Sequence, residues 1–257
     1  MIFPVLIPVG PWVIHPHVFF ETLAYLVGFR LYLWLRRRRG DPVDDGPRWS
    51  IVTAAAVGAV LGSRLLFWLE DPVATVGYLH RPGVLLGGKT LVGALLGGWI
   101  AVEVVKRQIG IRGATGDLFA VPLAVGIGIG RIGCFLSGLP DGTYGTPTPL
   151  PWAVDLGDGI LRHPVALYES LFMLAMTVVL ERSRAVLRRG ESFKLFMAAY
   201  LGFRIAVDSL KPGVSLALGL TAIQWACAGG LAYYAWWLIA QRSAKMSDKP
   251  HPTEVRT

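Results

Sequence analysis

The sequence predicts an all-α, polytopic membrane protein of about seven transmembrane helices. Three observations carry this: 53% of the residues are hydrophobic against 16% charged, mean hydropathy is +0.51, and several apolar stretches are long enough to cross a hydrocarbon core of ~30 Å. Spans are expected near 17–35, 50–69, 88–105, 117–136, 164–181, 194–210 and 217–240. They make a single domain over residues 1–241, followed by a polar tail at 242–257 that is expected to be disordered and cytoplasmic.

Basic residues set the orientation. Connections on one side hold Arg36 to Arg39, Arg48, Lys106, Arg107, Arg112, Arg182, Arg184, Arg188 and Arg189, and the tail adds Arg242, Lys245, Lys249 and Arg256. The other side holds Arg81, Arg162 and Lys211. This asymmetry places the N-terminus outside and the C-terminus in the cytoplasm. It also accounts for the net charge of +8 as lipid-facing topology, with no nucleic-acid partner implied. Residues 1–16 lack a basic n-region and a cleavage site, so no removable signal peptide is expected.

Taken in order, the first span opens with His17 and Glu21, one helical turn apart and close to the outer surface. They read either as a solvated interfacial pair or as an acid/base pair. The second span carries Gly58-x-x-x-Gly62 and then Arg64, and the third Gly93-x-x-x-Gly97; such spacing lets helix backbones approach closely. Lys89, just before the third span, is expected to snorkel to the interface.

The fourth span contains Arg131 inside apolar sequence, with no carboxylate within four residues. A buried guanidinium needs a partner from elsewhere in the fold or from a ligand, and its planar fork of donors suits a phosphate or carboxylate. Gly128, Gly130 and Gly133 spell G-x-G-x-x-G, but without the strand that a dinucleotide site requires; close helix packing is the expected use. Cys134 reads as packing or as a nucleophile beside Arg131, and neither it nor Cys227 suggests a disulfide.

The outer connection from Ser137 to His163 is long and rich in Gly, Pro, Thr and Asp, as functional loops often are. The fifth span follows Pro164 and brings Tyr168 and Glu169 about a turn into the membrane, where Glu169 needs a cation. Arg64, Arg131 and Arg204 are the supply. In the sixth span Arg204 and Asp208 stand four apart on one face, either as a self-satisfied ion pair or with Asp208 holding Arg204 toward an anion. The arginines and carboxylates beside a polar outer loop suit an anionic lipid headgroup. There is no HExxH, no Cys/His metal cluster and no Walker loop, so neither a metal nor ATP is implied.

Gly130-Arg131-Ile132-Gly133, Phe135, Gly138 and Gly145-Thr146-Pro147-Thr148, with Arg162-His163-Pro164, Leu167-Tyr168-Glu169, Tyr25-Leu26-Val27-Gly28 and Phe203-Arg204-Ile205 with Asp208, resemble the prolipoprotein diacylglyceryl transferase family from about Gly10 to Gln241. The resemblance implies a seven-span bacterial inner-membrane enzyme. Its family moves diacylglyceryl from phosphatidylglycerol to the thiol of a lipobox cysteine and releases glycerol 1-phosphate, without a metal. It implies Arg131 and Arg204 on the lipid phosphate with Asp208 positioning Arg204, and phosphatidylglycerol or another anionic phospholipid and a lipobox preprotein as partners; Arg64, Gly145, Tyr168, Glu169 and Cys134 are further candidate substrate contacts read from the residues themselves.

Some positions depart from the family pattern. Val92 stands where a histidine is proposed as the base, Glu21 replaces a tyrosine, Cys134 an asparagine, and Pro140-Asp141-Gly142 look inserted. Glu21, His17, Asp141 and His163 are the candidate substitutes, with the Glu21–His17 pair first. Retention of the arginines favours an enzyme; loss of the histidine favours a phospholipid-binding or transporting protein with the same fold.

Overall fold

In a computed structural model of the protein, residues 3–247 are described. A hairpin of β1 (Ile7–Val9) and β2 (Trp12–Ile14) leads into α1 (Pro16–Arg39), followed by α2 (Asp45–Glu70), the short helices α3 (Pro72–Gly77) and α4 (Pro82–Gly87), α5 (Leu91–Gln108) and α6 (Asp117–Ser137). A single 3-10 turn at Leu139–Asp141 and a second hairpin, β3 (Val154–Asp155) with β4 (Leu161–Arg162), precede α7 (Val165–Ser183), α8 (Glu191–Asp208) and α9 (Ala222–Ser247).

The body is helical, and each expected span coincides with one long helix. Among the described residues α1, α2 and α6 are long and apolar enough to cross a membrane. The two small hairpins are features the apolar pattern did not announce. Local chemistry sets the helix ends: His15 accepts the His17 N–H ahead of Pro16, and Thr90 Oγ1 accepts the Gly93 N–H at 3.2 Å. α9 starts five residues later than expected because Thr221 and Gln224 cap one another, Thr221 N to Gln224 Oε1 at 3.0 Å and Gln224 N to Thr221 Oγ1 at 3.1 Å. Of the expected tail, 242–247 continue α9, and 248–257 lie outside the described residues.

Glycine governs how the helices meet. A Cβ on Gly58 or Gly62 would run into the backbone of Gly97 or Gly93, and the reverse holds, so the two expected motifs are the seam of one pair, α2 against α5. A Cβ on Gly133 would lie 2.6 Å from Phe20 and 3.1 Å from the Pro16 carbonyl, so this glycine lets α6 touch the start of α1. Gly128 faces Met173 and Ser170, and its carbonyl accepts the Ser170 hydroxyl at 2.8 Å. These glycines therefore serve packing, with no strand ahead of them. α8 runs through the core, with Phe196, Met197, Tyr200 and Leu201 fully buried.

At one end the structure gathers charges that belong together. Arg48 is fully buried, ion-paired to Asp41 and donating to the Thr115 carbonyl at 3.0 Å, so it is a structural cation here more than a loop charge. Arg39 pairs with Glu181 at 2.5 Å, and Asp117 accepts the N–H groups of Gly190 at 2.5 Å and Phe193 at 3.1 Å. The ends of α1, α6, α7 and α8 are thereby tied, leaving the opposite end to hold the remaining polar groups.

Candidate active site

The partner Arg131 needs is Glu169. Arg131 leaves α6 at the level where Glu169 leaves α7, and Arg131 Nε lies 2.9 Å from Glu169 Oε2. Arg204, on α8, brings Nη1 to 3.6 Å from the same oxygen and Nη2 to 3.1 Å from Asp208 Oδ1. Three helices thus deliver two guanidiniums to one buried carboxylate. Glu169 and Arg204 are almost wholly enclosed, which is tolerable only because the pairs and hydrogen bonds close on each other. Tyr200, one turn before Arg204, donates its hydroxyl to Glu169 Oε1 at 2.6 Å. Thr221 donates to Asp208 Oδ2 at 2.5 Å, so Asp208 is held at both oxygens.

A second cluster adjoins this one through Cys134. Its sulfur lies 3.7 Å from Arg131 Nη1 and 4.0 Å from His17 Nδ1. The same His17 nitrogen stands 2.5 Å from Asp141 Oδ1, and the other ring nitrogen, Nε2, is 3.4 Å from Glu21 Oε2. Thr143 donates to Asp141 Oδ2 at 2.5 Å. Burial alone would push the Asp141 carboxyl up, but the hydrogen bonds from His17 and Thr143 outweigh it and hold Asp141 below the ordinary carboxylate range. Glu21 also pairs with Lys89 and accepts from Tyr25 at 3.4 Å. Lys89 therefore does not simply snorkel. It closes the exposed side of the cluster, because α4 and the following loop return it toward α1.

The remaining candidates lie apart from these contacts. His163 Nδ1 is 3.2 Å from the Tyr168 hydroxyl, which accepts from Trp152 Nε1 at 2.7 Å; the three form an aromatic corner at the loop between α6 and α7. Gly145 packs on His163, whose carbonyl would be 2.5 Å from an added Cβ, so no larger residue fits there. Arg64 donates to the Gly88 carbonyl and is not among the described partners of Glu169, so the three arginines expected to supply it divide two and one.

The sequence did not single out Tyr200, Thr221, Lys211 or Glu70. Tyr200 could have been found, since it stands four residues before Arg204 on one helix face. Lys211, just beyond α8, senses the charges of Arg204, Arg131, Glu169 and Asp208; burial first, then the two arginines, lower it to about 8. Glu70, at the end of α2, is half-buried and shares the field of Lys211, Asp208 and Arg204. Only the tertiary fold brings Glu70 and Lys211 to Arg204.

Two guanidiniums cluster on Glu169 beside the Tyr200 phenol, and a polar group of imidazole, thiol and carboxylates adjoins them. Residues 4–240 match the prolipoprotein diacylglyceryl transferase family. The chain belongs to that family. It is similar to the phosphatidylglycerol–prolipoprotein diacylglyceryl transferase of Methylobacillus flagellatus, 32% identical over 252 residues that cover 86% of this chain and 90% of the relative. The protein of the same name from Methylococcus capsulatus is 33% identical over 88% of each chain. That from Geobacter sulfurreducens is 34% identical over 76% of this chain and 79% of its own. In this chain the paired arginines and Glu169 come from the stretches that carried the resemblance, whereas Cys134 and Asp141 come from those that depart from it.

Proposed function

We propose that this protein transfers the diacylglyceryl group of phosphatidylglycerol to the thiol of a lipobox cysteine in a preprotein, releasing glycerol 1-phosphate. The observation that carries this is the convergence of Arg131 and Arg204 on Glu169 Oε2 at 2.9 and 3.6 Å. A phosphate would enter the same field of two forks of donors, with Asp208 fixing Arg204 and Lys211 adding charge. These groups stabilise the charge that gathers on the departing phosphate monoester, the usual gain from donors fixed before reaction. In the bacterial inner membrane seven spans would hold this site toward the outer face, with the N-terminus outside. The acyl chains then stay in the bilayer while the headgroup meets the polar cluster.

The acceptor thiol must lose a proton. Val92 offers no base in the third span, so the Glu21–His17–Asp141 group is the substitute. Glu21 takes the proton, and His17, held between two carboxylates, keeps Glu21 in position. General acid/base help of this kind is worth ~10² to 10⁴ in rate.

The test is to incubate purified protein in phospholipid nanodiscs with labelled phosphatidylglycerol and a lipobox peptide. Transfer of label to the peptide is expected, and its loss in Arg131→Ala. Lipid binding without transfer under all conditions would establish the phospholipid-binding reading instead.

A further inference from the structure

Glu21 is held at both carboxylate oxygens. Oε2 lies 3.4 Å from His17 Nε2, whereas Oε1 is ion-paired with Lys89 and accepts from the Tyr25 hydroxyl at 3.4 Å. We propose that Lys89 is a catalytic counter-ion: as Glu21 takes the proton of the acceptor thiol, the ammonium passes from the carboxylate to the new thiolate. This rests on the transferase reading of the preceding section and names a further residue for its proton step.

The helix α2 places Lys89 for this task. The backbone is fixed on both sides of it: Arg64 donates to the Gly88 carbonyl, and the Thr90 N–H donates to the Ser63 carbonyl at 3.2 Å, which the Thr90 hydroxyl also reaches at 3.3 Å. Trp68 Nε1 donates to the Leu85 carbonyl at 3.1 Å, and a Cβ on Gly88 would overlap the Phe67 ring, so the loop lies close against α2. Ser63 with Phe67, and Arg64 with Trp68, are pairs four residues apart on one helix face. A lysine that only snorkelled would need no such tether, because its long stem reaches water from a loose backbone equally well. The Lys89 side chain is 48% exposed and that of Glu21 33%. A partly solvated ammonium can leave one anion for another without the penalty of stranding a buried charge.

The charges balance through the exchange. Before it, the exposed side of the cluster holds an ammonium, a carboxylate and a neutral thiol; after it, an ammonium, a carboxylic acid and a thiolate. The S–H bond breaks, an O–H bond forms on Glu21 Oε1, and no net charge is created. A free thiol has a pKa of ~8.5 against ~4.3 for a glutamate, so the proton moves uphill and the thiolate is the species that most needs a cation beside it. A compact ammonium on a flexible stem can follow the charge from oxygen to sulfur. The sulfur pair then attacks the diacylglyceryl carbon bonded to the phosphodiester oxygen: a C–S bond forms, the C–O bond breaks, and the electron pair leaves on the phosphate oxygen. Glu21 gives its proton to solvent on the exposed side, and Lys89 returns to it. His17 joins the two halves, since Cys134 Sγ lies 4.0 Å from His17 Nδ1 and 3.7 Å from Arg131 Nη1.

The test compares two acceptors. Purified full-length protein in nanodiscs of increasing phosphatidylglycerol content is given a lipobox peptide that carries either cysteine or selenocysteine, whose selenol is already ionised at neutral pH. Transfer is followed by mass spectrometry under reducing conditions. Lys89→Met should lower kcat on the cysteine peptide by ~10- to 10²-fold, as loss of one fixed charge beside a developing anion does, with the KM for phosphatidylglycerol nearly unchanged. Lys89→Arg keeps the charge and should retain most of the turnover. On the selenocysteine peptide, which needs no proton removed, Lys89→Met should come within about threefold of wild type. All variants are checked for monodispersity, and Lys89→Gln carries the test if Lys89→Met does not fold. A wild-type kcat in Lys89→Met, or an equal loss on both peptides, overturns the counter-ion while transfer by the wild-type protein in the same assay leaves the transferase reading intact. Wild-type protein that transfers to neither peptide overturns that reading and the counter-ion with it.

Discussion

Glu169 Oε2 lies 2.9 Å from Arg131 Nε, and it is the only carboxylate among the described ion pairs of Arg131. The same oxygen is shared with Arg204 at 3.6 Å. The two guanidiniums are thus already balanced by Glu169 and Asp208, so under the proposed function a phosphate would have to compete with Glu169 for them.

Arg131→Ala and Arg204→Ala are each expected to reduce transfer by at least ~10²-fold, because fixed donors to a developing anion are worth about that. Lysine at either position should restore only part, since an ammonium cannot present the planar fork. Steady-state transfer to a lipobox peptide reads both, and full activity in either alanine variant would remove the clamp.

Glu169→Gln leaves two buried guanidiniums without their shared charge. Removing one partner of a buried pair costs about 3–5 kcal/mol, so the variant should melt well below wild type. Phosphatidylglycerol, which supplies the missing anion, should then raise its melting temperature more than it raises that of wild type. Equal lipid-induced shifts would show that the phosphate does not enter this field.

Lys211 is cationic below about pH 8 and neutral above, well before an ordinary lysine. Its contribution to anion binding is therefore present at low pH and lost as pH rises through 8. Phosphatidylglycerol affinity is expected to fall about fivefold across that step, the worth of one cation of ~1 kcal/mol beside an anionic headgroup. Lys211→Arg should hold the plateau to higher pH; an unchanged fall in that variant would assign the step to another group.

Glu21→Gln should lower turnover by at least ~10²-fold with lipid affinity nearly unchanged. The first-span pair and Asp141 were expected as rivals for the same task, but both carboxylates hold one imidazole, at 3.4 and 2.5 Å. His17→Ala and Asp141→Asn should therefore each lose activity, and the double variant should lose little more than the worse single. Full additivity would separate them.

Much of this was legible in the sequence, for physical reasons that can be named. The apolar runs marked the seven long helices, and the glycine pairs at 58/62 and 93/97 marked their seam, because small residues four apart have few other uses. That Arg131 needed a distant anion, and Glu169 a cation, followed from the cost of burying either alone. The convergence of Cys134 and Asp141 on His17 did not follow, because Asp141 is placed by a loop whose turn depends on Gly138 at φ 68° and Gly142 at φ 70°. The two hairpins were missed as well: each strand is at most three residues, too short for a period to show.

The most direct measurement of the central claim is the stoichiometry of one reaction. Purified protein, phosphatidylglycerol and a lipobox peptide are combined, the peptide is weighed by mass spectrometry, and glycerol 1-phosphate is assayed in the same tube. A diacylglyceryl adduct on the peptide cysteine, matched one for one by glycerol 1-phosphate and absent with Arg131→Ala, is the expected result. Binding of phosphatidylglycerol by the wild-type chain with neither product formed would contradict it.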